Sequence, residues 1–334
     1  MRTYHIPIFV PHKGCPHDCV FCNQRQITGQ TDDVTGEDVV RIIEENLDTM
    51  DTDSYIEVAF FGGSFTGIEL DKQAELLSCV QPYVKDGRIN GIRCSTRADY
   101  IDDKILSVLK DFGMTAIELG VQSTDDYVLG CSRRGHSFTD VVRASEAIKS
   151  CGIELGLQMM LGLPGDTREK MLKTASDLIS LKPACVRIYP TLVVPQTALW
   201  HMYEEGTYVP LTLEETVDIL SEIMPMFKRA GISIIRVGLQ TTDNINESTV
   251  RGPYHPAIRE LAEGRIVRNV LEKYMPCEKL DVRVNEKRVS VTLGHKRCNK
   301  EYFKRKYSCE LDVTTDDSVG IGDLKINGIV IAIL

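Results

Sequence analysis

The stretch Gly14-Cys15-Pro16-His17-Asp18-Cys19-Val20-Phe21-Cys22-Asn23 places three thiols within eight residues. It comes shortly after the apolar run Ile6–Val10, which has the composition of a buried β-strand. Parallel α/β folds place their active sites at the carboxyl ends of strands, and this loop leaves the strand at that end. The spacing C-x3-C-x2-C allows one loop to supply three corners of a soft-metal site. Zinc and a cubic iron–sulfur cluster both accept thiolates in that arrangement.

Zinc and an iron–sulfur cluster differ in the further ligands that they need. Zinc needs a fourth ligand, for which His12 and His17 are candidates. A cluster held by three cysteines leaves one iron open to an exogenous ligand. Structural zinc sites usually pair two C-x2-C turns, and the chain contains no second one, so the spacing favours the cluster. The other eight cysteines are scattered singly and are expected to be structural, at positions 79, 94, 131, 151, 185, 277, 298 and 309.

Composition limits the class of protein. The 334 residues are 43% hydrophobic and 26% charged, which is typical of a soluble globular chain. A chain of this length does not need disulfides for stability, and its 11 cysteines are an odd number, so a disulfide framework is not expected. We find no signal peptide and no apolar run of spanning length, and we therefore expect a cytoplasmic protein with no membrane association.

Strand-like and helix-like segments alternate along the first half of the chain. Five predicted strands follow Ile6–Val10, at Tyr55–Phe61, Ile89–Ser95, Thr115–Gly120, Ile153–Leu161 and Ala184–Tyr189. A predicted helix precedes each of them, at 35–50, 70–85, 101–112, 138–151 and 167–181. Thr35 is the predicted N-cap of the first helix, and Gly113 and Gly152 are predicted to end the third and the fourth. Strict alternation implies parallel strands with right-handed crossovers. Six units are too few for a closed eight-stranded barrel, so a doubly wound sheet and a partial barrel both remain open.

The pattern changes twice after the sixth unit. Residues 196–275 are predicted to be mostly helical, with 212–230 as the clearest helix and Ile232–Val237 as a short strand run. At 280–293 the stretch LDVRVNEKRVSVTL alternates apolar and polar residues on either side of an Asn-Glu-Lys turn, which predicts strands. Asn327-Gly328 predicts a hairpin near the C-terminus. We therefore divide the chain into a barrel region (1–195), a helical extension packing on it (196–275) and a small β-rich C-terminal segment (276–334).

One segment is basic although the net charge of the chain is −9. Residues 295–306 contain six cations with one acidic and two aromatic residues, a composition suited to phosphate and base contacts. A solvated helix or strand face is the alternative explanation. The acidic chain as a whole repels nucleic acid, so any such binding would be local. The six cations are Lys296, Arg297, Lys300, Lys304, Arg305 and Lys306.

The cysteine spacing, with Phe21 just before the last cysteine, resembles the signature of the radical S-adenosylmethionine (SAM) superfamily. The stretch 60–65 (FFGGSF) resembles the glycine-rich motif of that superfamily. Five later motifs resemble the Elongator catalytic-subunit branch, namely STRADY at 95–100, ELGVQS at 118–123, RRGH at 133–136, MMLGLPG at 159–165 and RIYPTL at 187–192. The resemblance implies the partial barrel, a (β/α)6 barrel of the radical SAM type.

The resemblance also implies cofactors and roles. Cys15, Cys19 and Cys22 would hold a [4Fe–4S] cluster, and SAM would chelate the open iron. An electron from a flavodoxin- or ferredoxin-class donor would then cleave SAM to a 5′-deoxyadenosyl radical that abstracts hydrogen from the substrate. The residues assigned to the cofactors by position in the motifs are Phe21 in the cysteine loop, Gly62, Gly63 and Ser64 near the methionyl amine, Arg134 on the methionyl carboxylate, Gln122 and Ser95 near the ribose, and Leu161 beside adenine.

The chain departs from the Elongator pattern in three respects. Gln158 stands where Elongator subunits have a histidine before the Met-Met pair. Relatives usually carry glutamate where Ser95 stands. Elongator subunits append an acetyltransferase domain, for which the roughly 60 residues after 275 are too few, so the resemblance supports radical initiation without acetyl transfer. The resemblance to Elongator subunits and the basic segment 295–306 favour tRNA as the substrate. A porphyrin or other small-molecule substrate is the alternative, and a zinc-stabilised binding module without catalysis is a third possibility.

Overall fold

The computed structural model describes residues 3–10, 19–22, 33–51, 53–239, 245–246 and 248–333. The barrel region contains β1 (Thr3–Val10), α1 (Gly36–Leu47), β2 (Tyr55–Gly62), α2 (Leu70–Lys85), β3 (Gly91–Thr96), α3 (Asp103–Asp111), β4 (Met114–Gln122), α4 (Asp126–Cys131), α5 (Phe138–Ser150), β5 (Glu154–Leu161), α6 (Arg168–Ser180) and β6 (Cys185–Pro190). The remainder contains α7 (Ala198–Glu204), α8 (Leu213–Arg229), β7 (Ser233–Val237), α9 (Ile258–Leu271), β8 (Lys279–Val284), α10 (Val289–Leu293), α11 (Cys298–Tyr307), β9 (Glu310–Thr315), β10 (Asp323–Ile326) and β11 (Ile329–Ala332).

Among the described residues, seven parallel strands form one sheet in the order of the sequence, β1 to β7. The sheet forms a half-barrel, so the predicted fold class is confirmed, with one strand more than the six expected. The additional strand β7 comes from the run Ile232–Val237, and it joins β6 through the Ser233 amide, which donates to the Ala184 carbonyl at 3.2 Å. No helix of the described residues is long and apolar enough to cross a membrane.

Alternation along each strand separates two faces of the sheet. Ile6 and Ile8 of β1 and Val58 and Phe60 of β2 are fully buried and belong to the main hydrophobic core with the outer helices. Residues that alternate with them along the strands, such as Glu57, face the other side, the interior of the half-barrel. Burial of the apolar face fixes the register, because a slip by one residue would exchange the two faces.

Local signals in the sequence set the helix ends. Thr35 caps α1 as predicted, since its hydroxyl accepts from the Asp38 amide at 3.2 Å while the Asp38 carboxylate accepts from the Thr35 amide at 3.0 Å. Gly113 and Gly152 follow α3 and α5 with φ values of 72° and 75°. These left-handed positions after the helices are the ones that glycine was predicted to occupy.

The C-terminal segment has its own core and its own sheet, ordered β11-β10-β8-β9 over the described residues. The hairpin at Asn327-Gly328 is confirmed, with φ values of 50° and 87° that fit a type I′ turn. The strand predicted after the Asn-Glu-Lys turn is wrong, because Val289–Leu293 forms the helix α10 and β8 pairs in parallel with β9.

Packing against α9 explains that difference. Arg288 Nη1 lies 2.5 Å from Glu263 Oε2, and the Ser290 hydroxyl donates to Glu260 Oε1 at 3.1 Å. These contacts hold the segment against α9 in helical form, and its alternating pattern cannot reveal them. The division of the chain at 195 and 275 stays a prediction. Contacts among the described residues cross these two predicted boundaries. β7 extends the main sheet, and α9 contributes residues to both hydrophobic cores.

Candidate active site

The cysteine loop leaves β1 at the carboxyl end of the sheet. Cys15 lies outside the described residues, as do His12 and His17. Cys19 is buried and Cys22 is half-buried, and the Cys22 amide donates to the Cys19 carbonyl at 2.9 Å, which closes a tight turn. Within the described part of the chain no three His, Cys, Asp or Glu side chains form a group that could hold a metal ion. Cys19 and Cys22 thus lie in one turn, and the set of three cysteine ligands stays a prediction.

Two hydrogen bonds fix this turn to the rest of the protein. The Val20 amide donates to the Ser132 carbonyl at 3.1 Å, and the Val20 carbonyl accepts from the Leu199 amide at 2.8 Å. The Phe21 ring packs in a small apolar cluster that includes Val20, Leu199 and Tyr208. Packing of Phe21 in this cluster helps to hold the turn in place, and its assignment to a cofactor stays a prediction.

Arg134 reaches this turn from the segment after α4. Its Nη1 lies 3.5 Å from Cys19 Sγ, and its Nη2 donates to the Gly120 carbonyl at 2.5 Å. Its backbone is also held, because its carbonyl accepts from Arg97 Nη2 at 2.7 Å. Within the described residues the buried Nε has no hydrogen-bond partner. A buried donor without an acceptor costs free energy, so this nitrogen is suited to an acceptor supplied by a ligand.

Gly120 makes room for two of the predicted site residues. A Cβ at this position would lie 2.9 Å from Arg134 Nη2 and 3.1 Å from Gln122 Nε2. The sheet is irregular here, since the β4–β5 register shifts between Gly120 and Gln122, and Gln122 has a φ of 71°. Gln158 Nε2 donates to Gln122 Oε1 at 3.3 Å. Gln122 and Arg134 therefore converge at the end of β4, close to Cys19.

The Gly62-Gly63 pair lies beside the point where the cysteine loop departs. Gly62 has a φ of 100°, and a Cβ there would be 2.8 Å from the Val10 carbonyl oxygen. The Gly63 amide donates to that same carbonyl at 2.9 Å, and the buried Ser64 begins a short 3-10 turn. Sequence reasoning assigned these glycines to close approach of a ligand. The observed requirement for glycine comes from the neighbouring strand.

Ser95 and Leu161 are the two remaining residues that were assigned to SAM. Ser95 is half-buried on β3, opposite Glu118 in the β3–β4 register. The Leu161 side chain is fully buried in the main core, so it faces away from the half-barrel interior. Its carbonyl accepts from the Thr191 amide at 2.9 Å, which leaves the backbone of the following turn as the part of this motif nearest to a ligand.

Sequence reasoning missed a buried network of charges inside the half-barrel. Arg93 Nη2 lies 2.6 Å from Glu57 Oε2, and Arg93 Nη1 lies 3.0 Å from Glu118 Oε1. Arg187 Nη2 donates to Glu118 Oε1 at 3.0 Å, and Arg187 Nε donates to the second oxygen of the same carboxylate. The Arg187 guanidinium also lies over the Phe61 ring, 4.9 Å from its centroid. The sequence feature that could have revealed the network is a single charged residue at an inward-facing position of each of β2, β3, β4 and β6.

The surroundings of the network favour its charged form. Burial alone raises the pKa of Glu57, but hydrogen bonds and charges from His5 and Arg93 outweigh burial and lower that pKa below its ordinary value. Gly156 leaves space for the carboxylate on β5, since a Cβ there would lie 2.8 Å from Glu118 Cγ. Two carboxylates and two guanidinium groups thus balance one another in the interior.

His136 adds no charge near Arg134 at neutral pH. Burial lowers the pKa of His136 to about 4, and the guanidinium groups of Arg134 and Arg97 act in the same direction. The imidazole is therefore neutral, and Arg134 supplies the cationic charge next to Cys19.

Comparison with known proteins identifies the family. The profile of the radical SAM superfamily matches residues 9–178, and that of the Radical_SAM C-terminal domain matches residues 183–268. The first match covers half of the chain, and this protein belongs to the radical SAM superfamily. It is a radical SAM enzyme, of a superfamily that uses a [4Fe–4S] cluster and SAM.

Two curated proteins are similar to part of this chain. The chain is 35% identical over 142 residues to the tRNA uridine(34) acetyltransferase of Methanocaldococcus jannaschii, a match that covers 41% of this chain and 26% of that protein. It is 29% identical over 199 residues to Elongator complex protein 3 of Danio rerio, covering 59% of this chain and 34% of that protein. These matches show that the chain is similar to the Elongator catalytic subunits, as the sequence motifs indicated, while it spans only about a quarter to a third of the length of these relatives.

A solved structure shares the fold over almost the whole chain. The archaeal Methanocaldococcus infernus Elp3 with an N-terminal deletion superposes with a TM-score of 0.64 at 20% identity. The match covers 98% of this chain and 76% of that chain. At this identity the likeness supports the architecture, including the C-terminal segment.

Replacing Glu118 by glutamine tests the interior network. The substitution leaves the Arg93 and Arg187 guanidinium groups without their shared carboxylate, so we expect the free energy of unfolding to fall by roughly 3–5 kcal/mol. Chemical denaturation followed by circular dichroism measures the change. The control is Arg41→Ala, which removes exposed ion pairs with Asp38 and Glu45 on α1 and should change little. Equal effects of the two substitutions would contradict a role for the network in stability.

Proposed function

We propose that this protein holds a [4Fe–4S] cluster through Cys15, Cys19 and Cys22, binds SAM beside it and acts on tRNA. When bound and reduced by a flavodoxin- or ferredoxin-class donor, these cofactors supply a 5′-deoxyadenosyl radical for hydrogen abstraction. The observation that carries the proposal is the position of Arg134, in contact with Cys19 Sγ and with its Nε free of partners among the described residues.

The Arg134 guanidinium suits both cofactors. A cation at 3.5 Å from Cys19 Sγ compensates the negative charge that a ligating thiolate carries. The guanidinium presents its donors in a plane, which matches the geometry of a carboxylate. Nη2 donates to the Gly120 carbonyl, whereas the buried Nε has no partner among the described residues, so Nε is a donor available to the methionyl carboxylate of SAM.

The other assigned residues have roles of positioning in this proposal. Gln122 Nε2 lies beside Gly120 and next to Arg134 Nη2, so a ribose hydroxyl could bond to the same end of β4 as the carboxylate. Gly62 and Gly63 keep the end of β2 against the Val10 carbonyl, where the cysteine loop begins. Ser64 and Ser95 lie at the ends of the adjacent strands, and the backbone after Leu161 borders the adenine.

The cluster and its activity are tested by replacing one ligand. Anaerobically reconstituted protein should contain about four irons per chain and form 5′-deoxyadenosine from SAM on reduction. Cys22→Ala should lose most of the iron and the cleavage product, because two thiolates cannot hold the cubic cluster. Iron content, visible absorption and product chromatography measure these outcomes.

Cys151→Ala is the matched control for this experiment. Cys151 caps the carboxyl end of α5 and is not one of the proposed ligands, so this variant should match the native protein. One zinc and no iron in the native protein would instead indicate a zinc-stabilised module. Full SAM cleavage by Cys22→Ala would also contradict the proposal.

The surface of α11 supports tRNA as the substrate class. All six cations of residues 295–306 are exposed, and Lys304 and Arg305 of α11 line a cavity of about 750 Å³. At this cavity the Arg268 guanidinium stacks on the Tyr302 ring, 4.3 Å from its centroid. Exposed cations are the groups that contact the phosphates of a nucleic acid. The relatives named for tRNA modification favour the same class.

The positive charge of Lys306 is less available to a phosphate than the charges of its neighbours. Its Nζ lies 2.9 Å from Glu272 Oε1 and 2.6 Å from the Tyr302 hydroxyl oxygen. This pairing compensates its charge and holds it against α9. The cations available to phosphate on this helix are therefore Lys300, Lys304 and Arg305.

Charge removal on α11 tests tRNA binding. Replacing Lys300, Lys304 and Arg305 by alanine should weaken tRNA binding about tenfold or more near 0.1 M salt and reduce its salt dependence. Fluorescence anisotropy across a salt series measures both quantities. The control replaces Lys104, Lys110 and Lys182, exposed lysines of the barrel region, and changes the net charge equally. Equal weakening in both variants, or none in either, would argue against this surface and favour a small-molecule substrate.

A further inference from the structure

Two cysteines outside the candidate active site lie in contact in the C-terminal segment. The Sγ atoms of Cys277 and Cys309 are 3.4 Å apart, with Cys277 half-buried and Cys309 fully buried. We propose that Cys277 and Cys309 are a thiol oxidation site, which forms a reversible disulfide. The proposal is independent of the proposed function, because neither cysteine belongs to the cysteine loop.

The backbone next to the two cysteines is already paired. Cys277 lies just before β8 and Cys309 just before β9, two strands that run parallel from the Lys279–Glu310 pair onward. The Glu310 amide donates to the Glu278 carbonyl at 2.8 Å, which joins the two approaches to the strands. A disulfide has a sulfur–sulfur distance of about 2.05 Å, so the sulfurs need to approach by only about 1.4 Å. Side-chain rotation can supply that approach while the strands stay in register.

The bond would close a loop around the basic surface. The residues between the two cysteines include α10 and all of α11. Cys309 follows α11 after the left-handed Ser308, and its amide donates to the Phe303 carbonyl at 3.2 Å. A bond from Cys309 to Cys277 therefore fastens the end of α11 to the start of β8. Such a link restricts the unfolded chain and favours the folded arrangement of this helix.

The chemistry needs a two-electron oxidant, and a low-molecular-weight disulfide such as oxidised glutathione serves. The Cys277 thiolate attacks one sulfur of the oxidant and releases one thiolate, which leaves a mixed disulfide on Cys277. Cys309 then loses its proton and attacks the Cys277 sulfur, which releases the second thiolate. The protein has lost two protons and two electrons, and the oxidant has become two thiols.

Burial decides the order of these steps. Cys277 is the more exposed sulfur and is therefore the one that the oxidant reaches first. Burial raises the pKa of the Cys309 thiol to about 11, and the hydrogen bond with Cys277 acts in the same direction. Cys309 is thus protonated at neutral pH, and closure of the protein disulfide should become faster as the pH rises, by about tenfold per unit while the thiol form predominates.

The test is oxidation of the full-length protein with glutathione under anaerobic conditions. After alkylation in denaturant and proteolysis, mass spectrometry should find one linked peptide pair, joining Cys277 to Cys309 with a mass about 2 Da below the two free thiols. The pair should disappear on treatment with dithiothreitol. It should form faster at pH 8 than at pH 7.

Three variants make the result specific. Cys298→Ser is the matched control, because Cys298 lies on α11 with its Sγ 3.7 Å from Arg268 Nη2, and it should form the same bond as the native protein. Cys277→Ser should leave Cys309 open to alkylation in denaturant. Cys22→Ala should form the bond normally, which separates this result from any failure of the proposed function. Persistent free thiols at 277 and 309 in excess oxidised glutathione, or a link to another cysteine, would overturn the proposal.

Discussion

The contact between the Arg134 guanidinium and the Cys19 sulfur joins the two parts of the candidate site. Cys19 comes from the loop after β1, whereas Arg134 comes from the segment after α4, so only the closure of the sheet brings them together. Arg97 holds the Arg134 carbonyl, and the absence of a side chain at Gly120 gives its guanidinium room. A shift in any of these elements would move the cation away from the cysteine loop.

The interior of the half-barrel is polar below this contact, which is unusual for a space enclosed by strands. Glu57 and Glu118 are paired with Arg93 and Arg187, so the charges are matched while every partner remains buried or nearly so. Such pairs add little net stability by themselves, but removal of one partner is costly. We therefore infer that the network supports the candidate site from inside the half-barrel. Its side chains come from four strands, and they meet only because those strands pair in one sheet.

Local patterns predicted the elements well, because their causes lie within a few residues. The Thr35 cap and the turn at Asn327-Gly328 are examples. The helix Val289–Leu293 was missed because its cause, the contact of Arg288 with Glu263, is distant in sequence. Likewise the sequence could not show that single charges on separate strands meet. It could not separate Arg133 from Arg134 on physical grounds either, although the first proves exposed and the second buried.

The binding of SAM to two arginine variants tests most directly whether Arg134 connects the cysteine loop to the cofactor. Arg134→Lys keeps a positive charge but loses the planar donors, whereas Arg133→Lys alters an exposed neighbour. In anaerobic calorimetry on iron-loaded protein, we expect Arg134→Lys to weaken SAM binding about tenfold or more while Arg133→Lys binds as the native protein does. Native-like affinity of Arg134→Lys at equal iron content would contradict the role proposed for Arg134.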